Sequence, residues 1–324
     1  MSKYTLASLF AGIGGIDLAF EQAGAPSVWA NEFDPYCAKT FRANHKNVNL
    51  VVSDICKVKA EEIPTVTILA GGFPCQAFSI AGNKQGFSDE RGGLFFQISR
   101  LLCELKEQKR LPQVVFLENV KNLYTHDNGK TFARIKEELS GIGYKITEKV
   151  LNTCEHGNIP QNRERIYIVG FLDEGKKNKF RWPSPVALTN KINNVIDWGA
   201  QADKRFYYTS DMKCYPLLQK NIINTNSVYQ YRRIYVRENK SGVCPTLTAN
   251  MGTGGHNVPL ILDNNGRIRK LTPHECLQMQ GFSKDFVVPS ELPPSRVYKQ
   301  AGNTVSVTVI KRIADEIVRV LNEG

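Results

Sequence analysis

Four segments hold residues able to do more than pack. Phe10-Ala-Gly-Ile-Gly-Gly15 stands directly between a strand-like run and a helical pattern. Glycines at such a junction let the backbone turn tightly and bring a ligand against the N-terminus of the first helix. Glu32, 20 residues beyond Gly12, closes the next strand-like run. In doubly wound sheets an acid there bonds ribose hydroxyls. Asp54 closes the third run and could accept from an adenine amino group. A glycine turn and two acids at three successive strand ends describe an adenosine-containing cofactor. The turn departs from Gly-x-Gly-x-x-Gly, which weighs against a nicotinamide dinucleotide. A tight strand–helix junction calls for glycine in any case, so the turn by itself leaves both readings open.

Gly71-Gly-Phe-Pro-Cys-Gln76 follows the fourth strand-like run. Ligands in open α/β sheets lie outside the carboxyl ends of the strands, so Cys75 faces the same crevice. The stretch from Ser79 to Gly93, with four glycines, reads as a lid over a nucleophile. A structural cysteine in a turn is the plainer alternative. Glu118, within Phe116-Leu-Glu-Asn-Val120, ends the next strand beside that crevice. Gln161-Asn-Arg-Glu-Arg165 feeds a seventh strand, and Arg163 and Arg165, two apart, face one side of an extended chain. A surface salt-bridge strip is the ordinary fate of such a pair.

These residues need a scaffold, and the first half of the chain supplies its pattern. Strand-like runs at Tyr4–Phe10, Val28–Asn31, Val48–Val52, Val66–Ala70 and Val114–Leu117 alternate with helical patterns at Ile16–Ala23, Pro35–Asn44, Leu94–Lys106 and Thr131–Ser140. Such alternation predicts βαβ units and a mostly parallel sheet covered on both faces. Lys145–Leu151 and Ile166–Phe171 follow with no helix between them, which predicts an antiparallel hairpin at the end of the sheet. Two prolines in Arg181-Trp-Pro-Ser-Pro185 mark a boundary. From there to about residue 268 the text is Asn-rich, basic and aromatic, with short extended pieces such as Tyr229–Val236. An Asn264-Asn-Gly266 turn leads on to a helix over His274–Gln280, with Thr272 as N-cap, Pro273 at N1 and Gly281 as its stop. Val305–Leu321 reads as one long amphipathic helix.

Composition narrows the class. A chain of 324 residues with 42% hydrophobic and 23% charged side chains is ordinary globular protein, long enough for about two domains. The net charge of +11 is unevenly placed: residues 171–270 carry 16 basic and 7 acidic side chains, net +9. That is the footprint of a polyanion partner, or else a solvated basic face. No apolar run reaches the ~18 residues a membrane span needs, and Met1 to Phe10 lacks the layout of a signal peptide. Eight scattered cysteines, none at zinc spacing, predict free thiols in a reducing cytosolic compartment and no metal site.

The four segments, the Arg269-Lys-Leu-Thr-Pro-His-Glu-Cys276 block with Gly281-Phe282, and Gly302-Asn-Thr-Val305 occur in this order. Over residues 4–312 the chain resembles the DNA (cytosine-5) methyltransferases of the short bacterial restriction–modification type. The resemblance implies an α/β fold: an S-adenosylmethionine-dependent, Rossmann-like, mixed but mostly parallel seven-stranded sheet with a small, irregular, β-rich target-recognition domain. Residues 1–185, completed by 269–324, would be the catalytic and cofactor-binding domain, and 186–268 the recognition domain.

The implied reaction methylates C5 of a specific cytosine in double-stranded DNA. C5 is a poor nucleophile until a thiolate adds to C6, the role implied for Cys75. Glu118 would bond the ring N3 and the exocyclic amine, and for the first of these its carboxyl must hold or share a proton. Arg165 would reach O2, with Arg163 orienting it. S-adenosylmethionine would leave as S-adenosylhomocysteine. Phe10 would stack near its adenine, with Gly12, Ile13, Gly14 and Gly15 at the methionine part. Glu32 would take the ribose, Asp54 the adenine amine and Ile55 its ring, while Pro74, Leu94, Asn303 and Val305 line the pocket. The target base must be flipped out of the duplex. Gln76, Thr246, Arg232, Arg233, Arg237 and Asn250 are the candidate DNA contacts, the last four suited to base edges as well as phosphate. Some relatives carry a lid serine that fills the vacated stack; here Ser79-Ile-Ala-Gly82 names no such residue. The implied setting is a monomer in a bacterial cytoplasm, with no membrane partner and a cognate restriction endonuclease acting on the same site. The competing readings are an RNA (tRNA) cytosine-5 methyltransferase, an inactive DNA-binding protein on the same fold, and a nicotinamide-dependent oxidoreductase. The last leaves the basic stretch and Pro74-Cys75 unexplained.

Overall fold

Seven strands build the main sheet: β1 (Leu6–Leu9), β2 (Ser27–Glu32), β3 (Asn49–Val52), β4 (Ile68–Gly72), β5 (Val114–Val120), β6 (Lys145–Asn152) and β7 (Glu164–Phe171). Their order is β3-β2-β1-β4-β5-β7-β6. Strands β1 to β5 pair in parallel, and β7 runs antiparallel to β5. The sheet is therefore mixed and mostly parallel, as the alternating pattern predicts. The computed structural model describes residues 2–74, 93–199, 201–253 and 257–323.

The strands are apolar because both of their faces are covered. Leu6, Ala7, Ser8 and Leu9 of central β1 are wholly buried. The helices up to residue 179 are, in chain order, α1 (Gly15–Gln22), α2 (Pro35–Asn44), α3 (Leu94–Glu107), α4 (Asn122–Thr125), α5 (Lys130–Ile142), α6 (Thr153–His156) and α7 (Glu174–Lys179). Helix α3 buries Phe95, Ile98, Leu101, Leu102 and Leu105 in one core cluster with Leu69, Val115, Leu117, Ile135 and Leu139. Each such side chain contributes about 1.5–3 kcal/mol by leaving water, so the sheet edges that carry the polar residues rest on a stiff base.

Beyond these lie α8 (Tyr215–Asn221), α9 (Pro273–Gln278), α10 (Pro294–Asn303) and α11 (Val307–Asn322). The expected helix at 274–280 is α9. Thr272 caps it, accepting from Glu275 N at 3.2 Å, while Glu275 accepts from Thr272 N at 2.7 Å. The last amphipathic run starts two residues later than its pattern suggests, at Val307, and buries Ile310, Ile313, Ala314, Ile317, Val320 and Leu321 at helical spacing.

The chain divides into two compact units: Met1–Leu151 with Glu164–Pro183 and Ile310–Gly324, and Asn152–Arg163 with Ser184–Val309. The second holds a four-stranded antiparallel sheet of β8 (Val228–Tyr231), β9 (Val236–Asn239), β10 (Leu260–Leu262) and β11 (Ile268–Lys270), in the order β11-β10-β8-β9. Tyr229–Val236 reads as one extended piece in the sequence but is a hairpin. The chain reverses at Arg233, whose φ is +64°. No glycine or asparagine marks that turn, so its chemistry gives no warning. Asp263 closes the β10–β11 turn by accepting from Asn265 N and Arg267 N. Among the described residues no helix is long and apolar enough to cross a membrane.

Candidate active site

The glycine turn departs sharply from strand geometry. Phe10 holds φ +54°, Gly12 +60° and Gly14 +86°, and Gly14 is the N-cap of α1. A left-handed phenylalanine costs about 1–3 kcal/mol and persists only where its surroundings enforce it. A Cβ placed on Gly12 would meet nothing within 4 Å, so there is open space beside that residue. Gly12 N donates to Glu32 Oε2 at 2.7 Å, and Glu32 Oε1 accepts from Phe33 N at 2.9 Å and Asp34 N at 2.7 Å. Burial pushes the Glu32 carboxyl above its usual range, against the pull of these three donors.

The other cofactor candidates occupy varied settings. Ile13 and Gly15 are buried. Asp54 is exposed and accepts from Cys56 N at 2.9 Å, capping the turn Ile55–Lys57. Ile55 is in the main apolar core, 4% exposed. Pro74 is exposed, and Leu94, the first residue of α3, packs half-buried against that core. Phe33 is a residue that sequence reasoning does not single out. It stands 71% exposed directly after Glu32, an aromatic face left in water beside a carboxyl that is a cofactor candidate. Its one signal is adjacency to Glu32.

On the neighbouring strands the carboxyl and the cation meet. Glu118, 7% exposed, lies near the end of β5, in register with Gly72 of β4 and Tyr167 of β7. Arg165 enters β7 opposite Val120, and its Nε is 3.3 Å from Glu118 Oε1. Glu164, one residue earlier, pairs instead with Lys121 at 2.9 Å. Asn119 is a residue the sequence reasoning missed. Buried at 3% exposure, it donates from Nδ2 to the Phe73 carbonyl at 2.7 Å and accepts from Val120 N at 2.8 Å. It thus ties β5 to the segment that leads toward residue 75. Cys75 and Gln76 themselves lie outside the described residues.

Arg163 behaves differently from Arg165. It precedes β7, so strand alternation does not govern it, and it is 2% exposed. Its guanidinium donates to the carbonyls of Leu247 at 2.9 Å, Thr304 at 2.5 Å and Gly302 at 3.4 Å. Buried Gln161 donates to the Met279 carbonyl at 2.5 Å and accepts from Leu247 N at 3.1 Å. Within the second unit these two side chains knit the 246–248 segment to the turn after α10. Exposed Thr246 donates from its hydroxyl to the Asn162 carbonyl at 2.6 Å. In the same unit Asn303 is exposed and Val305 is 7% exposed. Arg232, Arg233 and Arg237 lie exposed around the β8–β9 turn, and Asn250 is exposed in a short 3-10 turn.

Comparison with known proteins gives this arrangement of residues its family. Residues 4–319 match the model of the C-5 cytosine-specific DNA methylases. The chain belongs to that family. It is 54% identical over 318 residues to the Type II methyltransferase M.Bsp6I of Bacillus sp. (strain RFL6), covering 97% of this chain and 98% of that one. It is 39% identical over 324 residues to the Type II methyltransferase M.HaeII of Haemophilus aegyptius, covering 99% and 95%. In fold it is similar to the S. pombe Dnmt2 methyltransferase, with TM-score 0.75, 19% identity and coverage of 99% and 100%. The family expected from the ordered segments is the family found.

Proposed function

We propose that this methylase transfers a methyl group from S-adenosylmethionine to C5 of a cytosine swung out of duplex DNA, through a transient bond between Cys75 and C6. One observation carries the reading. Gly72 of β4 is in register with Glu118 of β5, and Arg165 lies 3.3 Å from that carboxyl. Cys75 follows Gly72 by three residues in the chain, and Gly72 ends the strand beside the acid. Nucleophile, acid and cation from adjacent strand ends are what addition to a pyrimidine requires.

A free thiol is only a few per cent ionised at neutral pH, so a cation nearby is needed to raise its thiolate share. As the Sγ–C6 bond forms, the C5–C6 π pair shifts toward C5 and the ring. Glu118, as the acid, gives a proton to N3 and accepts a hydrogen bond from the exocyclic amine. Arg165 donates to O2 and holds the carboxyl in place. S-adenosylmethionine, when bound, supplies the methyl group as an electrophile. Water then takes the C5 proton, the electron pair it leaves restores the C5–C6 double bond and expels Cys75 as thiolate, and N3 returns its proton to Glu118.

The residues of the first unit suit that cofactor: open space beside Gly12, a helix N-terminus after Gly14, Glu32 for the ribose, Asp54 for the adenine amine and two aromatic rings, Phe10 and Phe33. Ile13, Gly15, Ile55, Pro74 and Leu94, with Asn303 and Val305 from later in the chain, complete the proposed set. Residues 186–268 act as the recognition domain. There Arg232, Arg233, Arg237 and Asn250 meet DNA, and Thr246 and Gln76 contact it near the flipped base. The protein works as a monomer in a bacterial cytoplasm beside an endonuclease of the same specificity.

The test is a duplex carrying 5-fluorocytosine in the methylated site, incubated with enzyme and S-adenosylmethionine. Fluorine blocks loss of the C5 substituent, so a complex that survives denaturing electrophoresis is expected, with the added mass on Cys75 and none in Cys75→Ser. Methylation of ordinary DNA with no adduct on the fluorinated duplex would overturn the covalent route. An adduct with tRNA and none with duplex would reassign the substrate.

A further inference from the structure

The two left-handed glycines of the turn differ in what lies beside them. At Gly12 the space is open; at Gly14 it is filled. A Cβ on residue 14 would sit 2.1 Å from His45 Nε2 and 2.4 Å from His45 Cδ2. The imidazole comes from the C-cap of α2, packs tilted against the Phe41 ring with centroids 4.6 Å apart, and is 6% exposed. Its Nε2 is buried with no hydrogen-bond partner among the described residues. Asp17, wholly buried in the first turn of α1, accepts from Ser8 Oγ at 2.6 Å and has its second oxygen likewise unpartnered there. Burial raises the Asp17 carboxyl, while the His45 charge acts to lower it. A ring and a carboxylate, each with an orphaned buried atom and within electrostatic reach, are an expensive arrangement for a fold to keep as packing.

We infer that His45 is a positioning residue for the cofactor: its imidazole abuts Gly14 and, with Asp17, holds the Gly12–Gly15 turn in the shape whose open side receives S-adenosylmethionine. The inference rests on the proposed cofactor reading. Glycine at 14 is then required by the ring as well as by the backbone. A turn so clamped on one side can keep its N–H groups aimed without a ligand, which lowers the ordering cost of binding.

Calorimetric binding of S-adenosylhomocysteine to the full chain tests this. His45→Ala is expected to weaken binding about tenfold, roughly 1.4 kcal/mol, and to raise KM for S-adenosylmethionine in step while kcat at saturating cofactor and affinity for DNA stay within about twofold. Gly14→Ala is expected to weaken binding more severely, about thirtyfold or beyond. Adding His45→Ala to it should recover at least about fivefold, because the collision is gone while the backbone strain remains. His45→Gln, which keeps a polar side chain, serves if the alanine variant does not fold. Unchanged cofactor binding in His45→Ala, or equal losses of cofactor and DNA binding, would overturn the inference, as would a double variant no better than Gly14→Ala. Failure of the unaltered protein to bind S-adenosylhomocysteine would instead remove the cofactor reading and this inference with it.

Discussion

Arg165 and Glu118 come together because β7 runs against β5. Val120 at the end of β5 faces Arg165 at the start of β7, so the residue leaving one strand and the residue entering the other share a sheet rim, and Arg165 Nε reaches Glu118 Oε1 at 3.3 Å. Both side chains are largely buried, 13% and 9% exposed, where a charge-assisted contact is worth more than on a surface. Glu118→Gln should lower the single-turnover methylation rate by about 10²–10⁴-fold with DNA binding retained. Arg165→Lys should also be slow, because an ammonium cannot reproduce the planar fork. Rapid-quench assays read both, and a wild-type rate in either variant would contradict the pairing's role.

Asn119 joins two parts of the site that lie far apart in the chain. Its amide donates to the Phe73 carbonyl, 46 residues away, and accepts from Val120 N. Asn119→Ala should cost about 1–3 kcal/mol of stability by leaving buried groups unpaired and should slow adduct formation at Cys75 on the fluorinated duplex. Asn119→Asp should be worse, since a carboxylate would face a carbonyl. Denaturant melts and adduct kinetics measure the two effects separately.

The β8–β9 hairpin carries three of the arginines in the basic stretch, Arg232 and Arg233 in its turn and Arg237 on β9, and Ile234 in the turn is 84% exposed. If Arg232, Arg233 and Arg237 grip phosphate, changing all three to Gln should reduce the salt slope of log K by up to about three, near 0.9 for each phosphate no longer neutralised. If they read base edges, the slope should hold and the sequence preference relax. Binding titrations in low and moderate salt on cognate and scrambled duplexes distinguish the two.

Asp17 sets a pH dependence of stability. Burial raises its carboxyl above the ordinary 3.8, against Ser8, Ser27 and His45, which all lower it. A raised folded-state value means that the native state holds the proton more tightly, so the stability it contributes is present below pH 3.8 and lost as pH rises through the raised value. Asp17→Asn lacks that loss. Its melting temperature relative to the unaltered protein should therefore shift in its favour from about pH 4 toward pH 7, and a constant difference would contradict the assignment.

Much of this architecture is written locally. The cap at Thr272, the stripe along α3 and the acids ending β2 and β3 follow from spacing and strand-end logic, because each depends on neighbours in sequence. The unread parts depend on distant partners. Asn119 matters through Phe73, and His45 through Gly14 and Asp17; neither relation leaves a periodic trace. The β8–β9 turn goes unsignalled because Arg233 takes a conformation that glycine or asparagine usually marks. Helix α10 does carry a sign, prolines at 293 and 294, that a reading for an N-terminal proline would use. Arg163 reads as a companion of Arg165 by alternation, yet it falls before the strand and serves three carbonyls instead.

The antiparallel entry of β7 also bears on which changes of register the chain can tolerate. Side chains alternate across a strand, so a slip of β7 by one residue against β5 would bring Glu164 into the place opposite Val120 and turn Arg165 to the far face. An anion would then confront Glu118, and the guanidinium would be lost to the other layer. Substitutions along this short stretch can be graded in their effects, but a slip that brings Glu164 forward exchanges attraction for repulsion in one step.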